Sequence, residues 1–466
     1  MTMRAPAVEP PAAPIPKLPP GPRGRRLRNF RARLSDAVGF MDRLHAEYGA
    51  IVSFDLPGMK GCGVFDADLL REVVRRESDF PLWAPPSAYG FVENTLSLSR
   101  GEDHERRRRL MTSAFSDERV RLCAEIAVER ARFMCEQFRA GQVVDAQAAF
   151  EDFILRALID CILGRGANVS PDVPNDVLKC FETDFKLSVL PFGRLLAKLP
   201  IPANIRARRA VRALEAATCR AIRTARDSAH HGEDVVSHLV CAADAGIVDW
   251  SWSSDREIRD EAFALLYAFP DAPVAALVFG LFHLARNPGA RARLEEEVDA
   301  VLDGRPSAPA DLDRLPYTRA VYRETMRLAS PAYALLPRQA SRDTELGGYR
   351  VPKGALLIGG LSVMHHRADY WQAPLGYRPE RWLGSAAGGQ PACPAHPPHA
   401  YAPFGYGDRA CPWAGFTEQL FIAAYASLAQ RFRLTPVSGE LPQTSNLRVG
   451  VQHPVPAAVT ARLPPP

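Results

Sequence analysis

The chain has 466 residues, 47% hydrophobic and 24% charged, which are ordinary values for a globular protein and leave enough chain for a large core. A formal net charge of +5, with Arg and Asp/Glu interspersed along most of the length, gives no grounds for a nucleic-acid partner. The nine cysteines are an odd set without paired spacing, and Cys123, Cys135 and Cys161 fall in helix-like segments, so they read as reduced thiols of a cytoplasm rather than a disulfide framework.

Residues 1–23 are a Pro/Ala-rich leader with nothing like an apolar span or a signal-peptide core. It ends at Pro19-Pro20-Gly21-Pro22, and residues 24–466 are expected to form one domain with no membrane anchor. A helix is predicted over Leu34–Tyr48, then short strands at Ile51–Phe54 and Gly63–Phe65. From Asp66 to about Ala300 apolar residues recur every three or four positions, so this stretch is mainly helical. Glu257–Asn287 is long enough for one core-crossing helix, with a stop at Asn287-Pro288-Gly289. Another helix is predicted at Leu315–Leu328, followed by strands at Glu345–Val351 and Ala355–Ile358. Residues 384–399 form a Gly/Pro/His-rich loop, and a last helix runs from about Trp413 to Arg431. The fold class is therefore mainly α with small β-sheets, in a single α+β unit. Alanine-rich, arginine-heavy usage has a bacterial look.

The chemistry concentrates in Phe404-Gly405-Tyr406-Gly407-Asp408-Arg409-Ala410-Cys411-Pro412. A cysteine here follows a glycine-punctuated loop and directly precedes a helix, whose oriented N–H groups favour a thiolate. Gly407 permits a tight turn that brings the sulfur up to a flat cofactor, and Arg409 can pair with an acidic group on it. An isolated cysteine in such a place would usually be structural.

This one is not isolated. The loop resembles the haem-binding signature of the cytochromes P-450, Phe-x-x-Gly-x-Arg-x-Cys, at Phe404, Gly407, Arg409 and Cys411. Glu324-Thr325-Met326-Arg327 is similar to the family's Glu-x-x-Arg, and Arg378-Pro379-Glu380-Arg381-Trp382 to its Pro-x-Arg segment, with Trp for the usual Phe. The resemblance spans about Pro19 to Leu463 and implies haem b (iron protoporphyrin IX), with Cys411 as axial ligand of the iron. It further implies a buried triad of Glu324, Arg327 and Arg381, and haem-propionate binding by His104, Arg108, Arg338 and Arg409. Arg106, Arg107 and Arg109 read either as a solvated basic face or as a docking surface for an acidic electron donor.

Two departures stand out. Where the family has Ala-Gly-x-Asp/Glu-Thr, this chain reads Ala268-Phe269-Pro270-Asp271-Ala272-Pro273. The acid Asp271 is kept, Ala272 replaces the threonine that in the family lies beside dioxygen, and Phe269 replaces the glycine. Pro270 and Pro273 remove the helical donors to the carbonyls of Leu266 and Phe269, which predicts a kink with acceptors for water or a substrate hydroxyl. The second departure is Trp413, where the family commonly has glycine; it implies an outward side chain or a shifted helix. Pro412 suits the first helical position but removes a possible N–H donor to sulfur.

The resemblance implies a monooxygenase that inserts one atom of O2 into a mid-sized apolar substrate of secondary metabolism, by hydroxylation or epoxidation. Electrons would come from NAD(P)H through a separate ferredoxin-type partner, because no flavin or iron–sulfur motif is present. A cytoplasmic monomer is expected. The missing threonine keeps a haem-thiolate isomerase, dehydratase or peroxide user as an alternative, although residues 268–273 lack the Arg that peroxide users place there. A non-catalytic haem sensor is a third reading. Cys393, His396 and His399 have metal-like types in a loop without a fourth ligand, and His365 and His366 read as ordinary polar residues. Substrate contacts are expected from Pro85–Glu93, residues 181–192, Phe263–Pro273, Ala332–Leu336 and residues 446–449.

Overall fold

The computed structural model describes residues 17–462 apart from 23, 25, 84–94, 116, scattered positions between 168 and 191, 228–231, 245–254, 385–398, 441–442, 446–448 and 452–453. The chain opens with α1 (Arg26–Ser35) and α2 (Ala37–Tyr48), then the hairpin β1 (Ile51–Leu56) and β2 (Met59–Val64), and α3 (Ala67–Arg75). The helical body follows as α4 (Gly101–Ser113), α5 (Asp117–Glu136), β3 (Val143–Asp145), α6 (Ala146–Leu163), α7 (Pro202–Asp227) and α8 (Val235–Asp244). It continues with α9 (Asp255–Ala268), α10 (Asp271–Arg286), α11 (Pro288–Leu302) and α12 (Pro316–Leu328). Short strands β4 (Arg338–Gln339), β5 (Thr344–Leu346), β6 (Tyr349–Val351) and β7 (Leu356–Gly359) precede α13 (Leu361–His366) and α14 (Ala414–Arg431). The end of the chain is β8 (Phe432–Pro436), β9 (Gln443–Ser445), β10 (Val449–Val451) and β11 (Pro456–Ala461).

Local chemistry explains several boundaries. Asp36, Asp66 and Asp145 each accept from backbone N–H groups of the first turn of α2, α3 and α6, satisfying donors that a helix start leaves orphaned. Asn287 ends α10, and Pro288 begins α11 at the position where its missing N–H costs nothing. The strand expected over Glu345–Val351 is a hairpin, because Gly347 and Gly348 turn it back on itself and pair Thr344 with Val351.

The largest core is helical. Helix α14 is apolar nearly all round and packs on α5, while α10 packs on α6 and α12. A second core lies under the four-stranded sheet β1-β2-β7-β4, in which β2 and β7 are parallel and β4 joins antiparallel through Arg338 and Leu357. Lys17, Pro19 and Pro20 give their carbonyls to Arg350 N–H and to the N–H and hydroxyl of Ser53, so the described end of the leader lies against the sheet. The stretch Asp255–Arg286 is long and apolar enough to cross a membrane by composition, but most of its apolar window is buried within the protein, as a core helix is.

A further expectation is corrected here. The single helix expected over Glu257–Asn287 is two, interrupted at Phe269-Pro270, because two prolines three residues apart remove too many donors for one helix to pass. The triad region is also richer than the motif implies. Glu324 and Arg327 are fully buried, and the carboxylate of Glu324 accepts from Arg327 Nε and Nη2 at 3.0 and 2.8 Å, from Arg381 Nε at 3.1 Å and from Arg378 N–H at 3.0 Å. The Trp382 indole N–H adds a fifth donor at 2.9 Å, which the usual phenylalanine could not supply. Arg327 in turn donates to the carbonyls of His365, Pro374 and Gly376, so none of its N–H groups is left over. These bonds more than offset burial and hold the Glu324 carboxyl below the usual carboxylate range.

Candidate functional site

Two left-handed glycines, Gly405 at φ 80° and Gly407 at φ 59°, fold residues 404–411 into a closed loop. The Cys411 N–H donates to the Phe404 carbonyl at 2.9 Å and fastens its two ends. His365 stands behind it, wholly buried, with Nε2 accepting from the Ala402 N–H at 3.1 Å. Burial and the neighbouring His366 and Arg327 push its pKa well down, so it is a neutral scaffold for the loop, more than the ordinary polar residue expected.

Cys411 is half-buried at the start of α14. Burial pushes its thiol pKa above the ordinary value, and the backbone N–H of Trp413 and the charge of Arg108 only partly oppose this. The donor expected from the helix start is therefore present, but it is outweighed by desolvation. A metal cation is what would hold the sulfur as thiolate.

Around the loop the structure gathers three guanidiniums and an imidazole. Helix α4 brings buried His104 and half-buried Arg108, β4 brings buried Arg338, and the loop itself brings Arg409. Arg108 Nη1 donates to the Ala410 carbonyl at 2.5 Å, next to the cysteine. Arg409 donates to Glu77 at 2.5 Å, and Arg338 lies 3.8 Å from the same carboxylate, an acid that no motif marks. Glu77 and the loop's own Asp408 do not balance the three guanidiniums of Arg108, Arg338 and Arg409. Burial first, then Arg409, pulls the His104 pKa down, and burial with Arg409 does the same to Arg338. Arg409 Nη1 is buried and has no hydrogen-bond partner. A cofactor carrying two carboxylates beside a metal fits these residues, because it supplies the anions that the cations lack and a partner for the orphaned guanidinium N–H.

Asp271 and Ala272 open α10 directly after the helix break, both half-buried. The carbonyls of Leu266 and Phe269 face Pro270 and Pro273 and have no helical donor. The two departures from the family pattern meet in space: the Phe269 ring packs on Trp413 with centroids 4.8 Å apart, and Trp413 also touches Phe115 at 3.8 Å and Phe416 at 5.8 Å. Trp413 is 2% exposed, so it does not turn outward, and α14 begins at the next residue. Sequence reasoning treated the two substitutions separately, and no one-dimensional signal links them.

Arg107 is a further correction. It was expected on the solvated basic face, yet it is buried and bonded to Asp103 at 2.9 Å and to Glu261 of α9 at 2.8 Å. Arg109 is exposed, as expected, and Arg106 is half-exposed. Cys393 and His396 lie outside the described residues, as do Pro85–Glu93, residues 446–448 and part of 181–192; His399 offers its carbonyl to the Tyr406 hydroxyl.

A cysteine at a helix start, arginines and a histidine gathered at its loop and a broken helix packed on Trp413 fit a haem-thiolate protein. The cytochrome P-450 family model matches residues 19–461, and the chain belongs to that family. It is 33% identical over 352 residues to the cyclooctatin synthase of Streptomyces melanosporofaciens, covering 74% of each chain. It is 30% identical to the cyclooctat-9-en-7-ol 5-monooxygenase of the same organism, again over 74% of each, and 28% identical to the pentalenene oxygenase of Streptomyces avermitilis, over 85% of this chain and 86% of that one. A cyanobacterial family member solved with retinoic acid bound shares the fold, with a TM-score of 0.82 and 21% identity over 96% of this chain and all of that one. The protein is an oxidoreductase of the monooxygenase class that uses haem and takes electrons from a separate redox partner.

Proposed function

We propose that the chain inserts one oxygen atom of O2 into a mid-sized, carbon-rich terpenoid substrate, by hydroxylation or epoxidation, as a step of secondary metabolism. The similarity to enzymes named for cyclooctatin and pentalenene supports this substrate class. The carrying observation is the closed loop that presents Cys411 beside His104, Arg108, Arg338 and Arg409, with the break at Phe269-Pro270 joined to it through Trp413. Haem b supplies, when bound, the redox chemistry by which dioxygen is reduced and one of its atoms transferred. Cys411 would hold the iron through its sulfur, Phe404 would pack beside it, and His104, Arg108, Arg338 and Arg409 would hold the propionates.

The Asp271 carboxyl would hold and pass the protons this reaction consumes. Ala272 has no hydroxyl to order a water, so that task falls to the Leu266 and Phe269 carbonyl oxygens, which can accept from a water or from a hydroxyl on the substrate. Electrons would come from NAD(P)H through a ferredoxin-type donor docking beside α4, and the protein would work as a cytoplasmic monomer.

The reduced, CO-bound absorption spectrum tests the ligand: a thiolate-type Soret band is expected, and its retention in Cys411→Ser would refute the assignment. Turnover with surrogate redox partners, scoring product against released peroxide, tests the reaction. Product formed with no electron donor would replace the monooxygenase reading by the isomerase or peroxide one. If a substrate hydroxyl already relays protons, Ala272→Thr should improve coupling little.

A further inference from the structure

Of the nine cysteines only Cys411 belongs to the site above, and two of the others meet. Helices α5 and α6 pack side by side in the largest core. They run antiparallel, and ion pairs fix their register. Arg130 of α5 donates to Asp160 of α6 at 2.6 Å. Arg165, just past the end of α6, reaches back along α5 to Glu129 at 2.7 Å and to Glu125 at 3.9 Å. This register brings Cys161, the neighbour of Asp160, opposite Cys123, and their thiols lie close enough for a hydrogen bond between them. Both are buried, Cys161 at 3% exposure and Cys123 at 8%. Cys62, Cys135 and Cys180 are buried as deeply but have no thiol beside them.

A buried cysteine packs as a small apolar residue, and packing alone gives no reason for two of them to face each other. What the pair offers that alanine or valine lacks is redox chemistry. Two thiols in contact are the starting geometry of a disulfide. The helices they stand on also matter to the site, because α5 packs on α14, and Cys411 lies at the start of α14. A bond between α5 and α6 would fasten the helical layer behind the cysteine loop.

We propose that Cys123 and Cys161 are a peroxide-responsive disulfide site that cross-links α5 to α6. Hydrogen peroxide oxidises the thiol of Cys123, the more exposed of the two, to a sulfenic acid, and one water leaves. The Cys161 sulfur then bonds to the Cys123 sulfur and displaces its hydroxyl, which takes the Cys161 proton and leaves as a second water. The two thiols lose two electrons and two hydrogens, and one peroxide becomes two waters. Burial first, then contact with Cys123, pushes the Cys161 pKa well up, and Arg165 opposes this only in part. Little thiolate is therefore present, and the reaction is slow. The pair records sustained peroxide, not a single turnover. The site stands on the thiol pair alone. That the peroxide is the enzyme's own, released when dioxygen is reduced without product, rests on the monooxygenase reading.

The test treats the wild-type holoenzyme with excess hydrogen peroxide, alkylates it and maps it by mass spectrometry without reduction. Expected are a mass loss of two hydrogens, a cross-link joining Cys123 to Cys161, and its reversal by dithiothreitol. The melting temperature should rise by several degrees, because closing a long loop restricts the unfolded chain. In Cys161→Ala, dimedone should trap Cys123 as the sulfenic acid several-fold more than in the wild type, since no resolving thiol remains. Recovery of Cys123 and Cys161 as free thiols while the half-buried Cys219 and Cys241 are oxidised overturns the proposal. So does a cross-link between other cysteines, or equal dimedone labelling of Cys123 in variant and wild type. Turnover with surrogate redox partners and no added peroxide should build the same cross-link, and catalase should prevent it. A cross-link that forms with added peroxide but never in turnover removes the enzyme's own peroxide as the oxidant and leaves the site.

Discussion

At the scale of single residues, the sequence marks the substitutions and the structure supplies their reasons. Trp382 stands where phenylalanine is usual, and its indole N–H gives the buried Glu324 a further donor. Hydrogen bonds to charged groups contribute about 1.5–3 kcal/mol, so Trp382→Phe should destabilise by that amount in denaturant titration with the CO spectrum unchanged. A loss within error would show the bond to be incidental. Phe269 and Trp413 each replace a glycine of the family pattern, and they pack on one another. Either residue changed to alanine opens a cavity, roughly 3–5 kcal/mol for a buried aromatic. Because the two share that cavity, the double variant should cost less than the sum by about 0.5–1.5 kcal/mol. Strict additivity in the double-mutant cycle would mean that the two substitutions arose independently of one another.

Among the elements, periodicity and punctuation located most helices and strands, because a core-facing stripe and a Pro or Gly stop are local features. The motif residues around Cys411 were legible for the same reason: a tight loop needs fixed residue types at fixed spacing. What joins elements was not legible. The sequence set Arg107 among four consecutive arginines, and nothing in that run distinguishes the one that turns inward to Glu261, 154 positions away. This pair ties α4, which clasps the cysteine loop, to α9, which leads into the helix break. Burial raises the Glu261 pKa to about 7 despite Arg107 and the Leu96 N–H. Between the ordinary value of 4.5 and about 7 the folded state therefore holds a proton that the unfolded state has released. Stability due to this group is highest below that window and falls as pH rises through it, by an amount on the order of 3 kcal/mol. In Glu261→Gln that fall should vanish, so melting temperatures of variant and wild type should diverge with rising pH across the window. Parallel profiles would show that Glu261 is ionised in the fold throughout.

For the whole molecule, the arginines of α4 divide between an inward and an outward side. Helix α4 lies against the Cys411 loop, with His104 and Arg108 turned inward, Arg107 committed to α9, and Arg109 exposed. Of the arginine run, only Arg109 and the half-exposed Arg106 can steer an acidic donor from solution. Steering between opposite charges speeds encounter at low salt and is screened within about 10 Å at 0.1 M salt. Arg109→Glu should therefore slow reduction by a ferredoxin-type donor several-fold at low ionic strength and flatten its salt dependence, as read by stopped-flow absorbance. Arg107→Gln should instead lower the melting temperature and leave the salt slope near wild type, because that charge is buried and already paired. If Arg107→Gln flattens the salt dependence as much as Arg109→Glu does, the donor does not read the exposed charges of α4, and the electron entry site lies elsewhere on the surface.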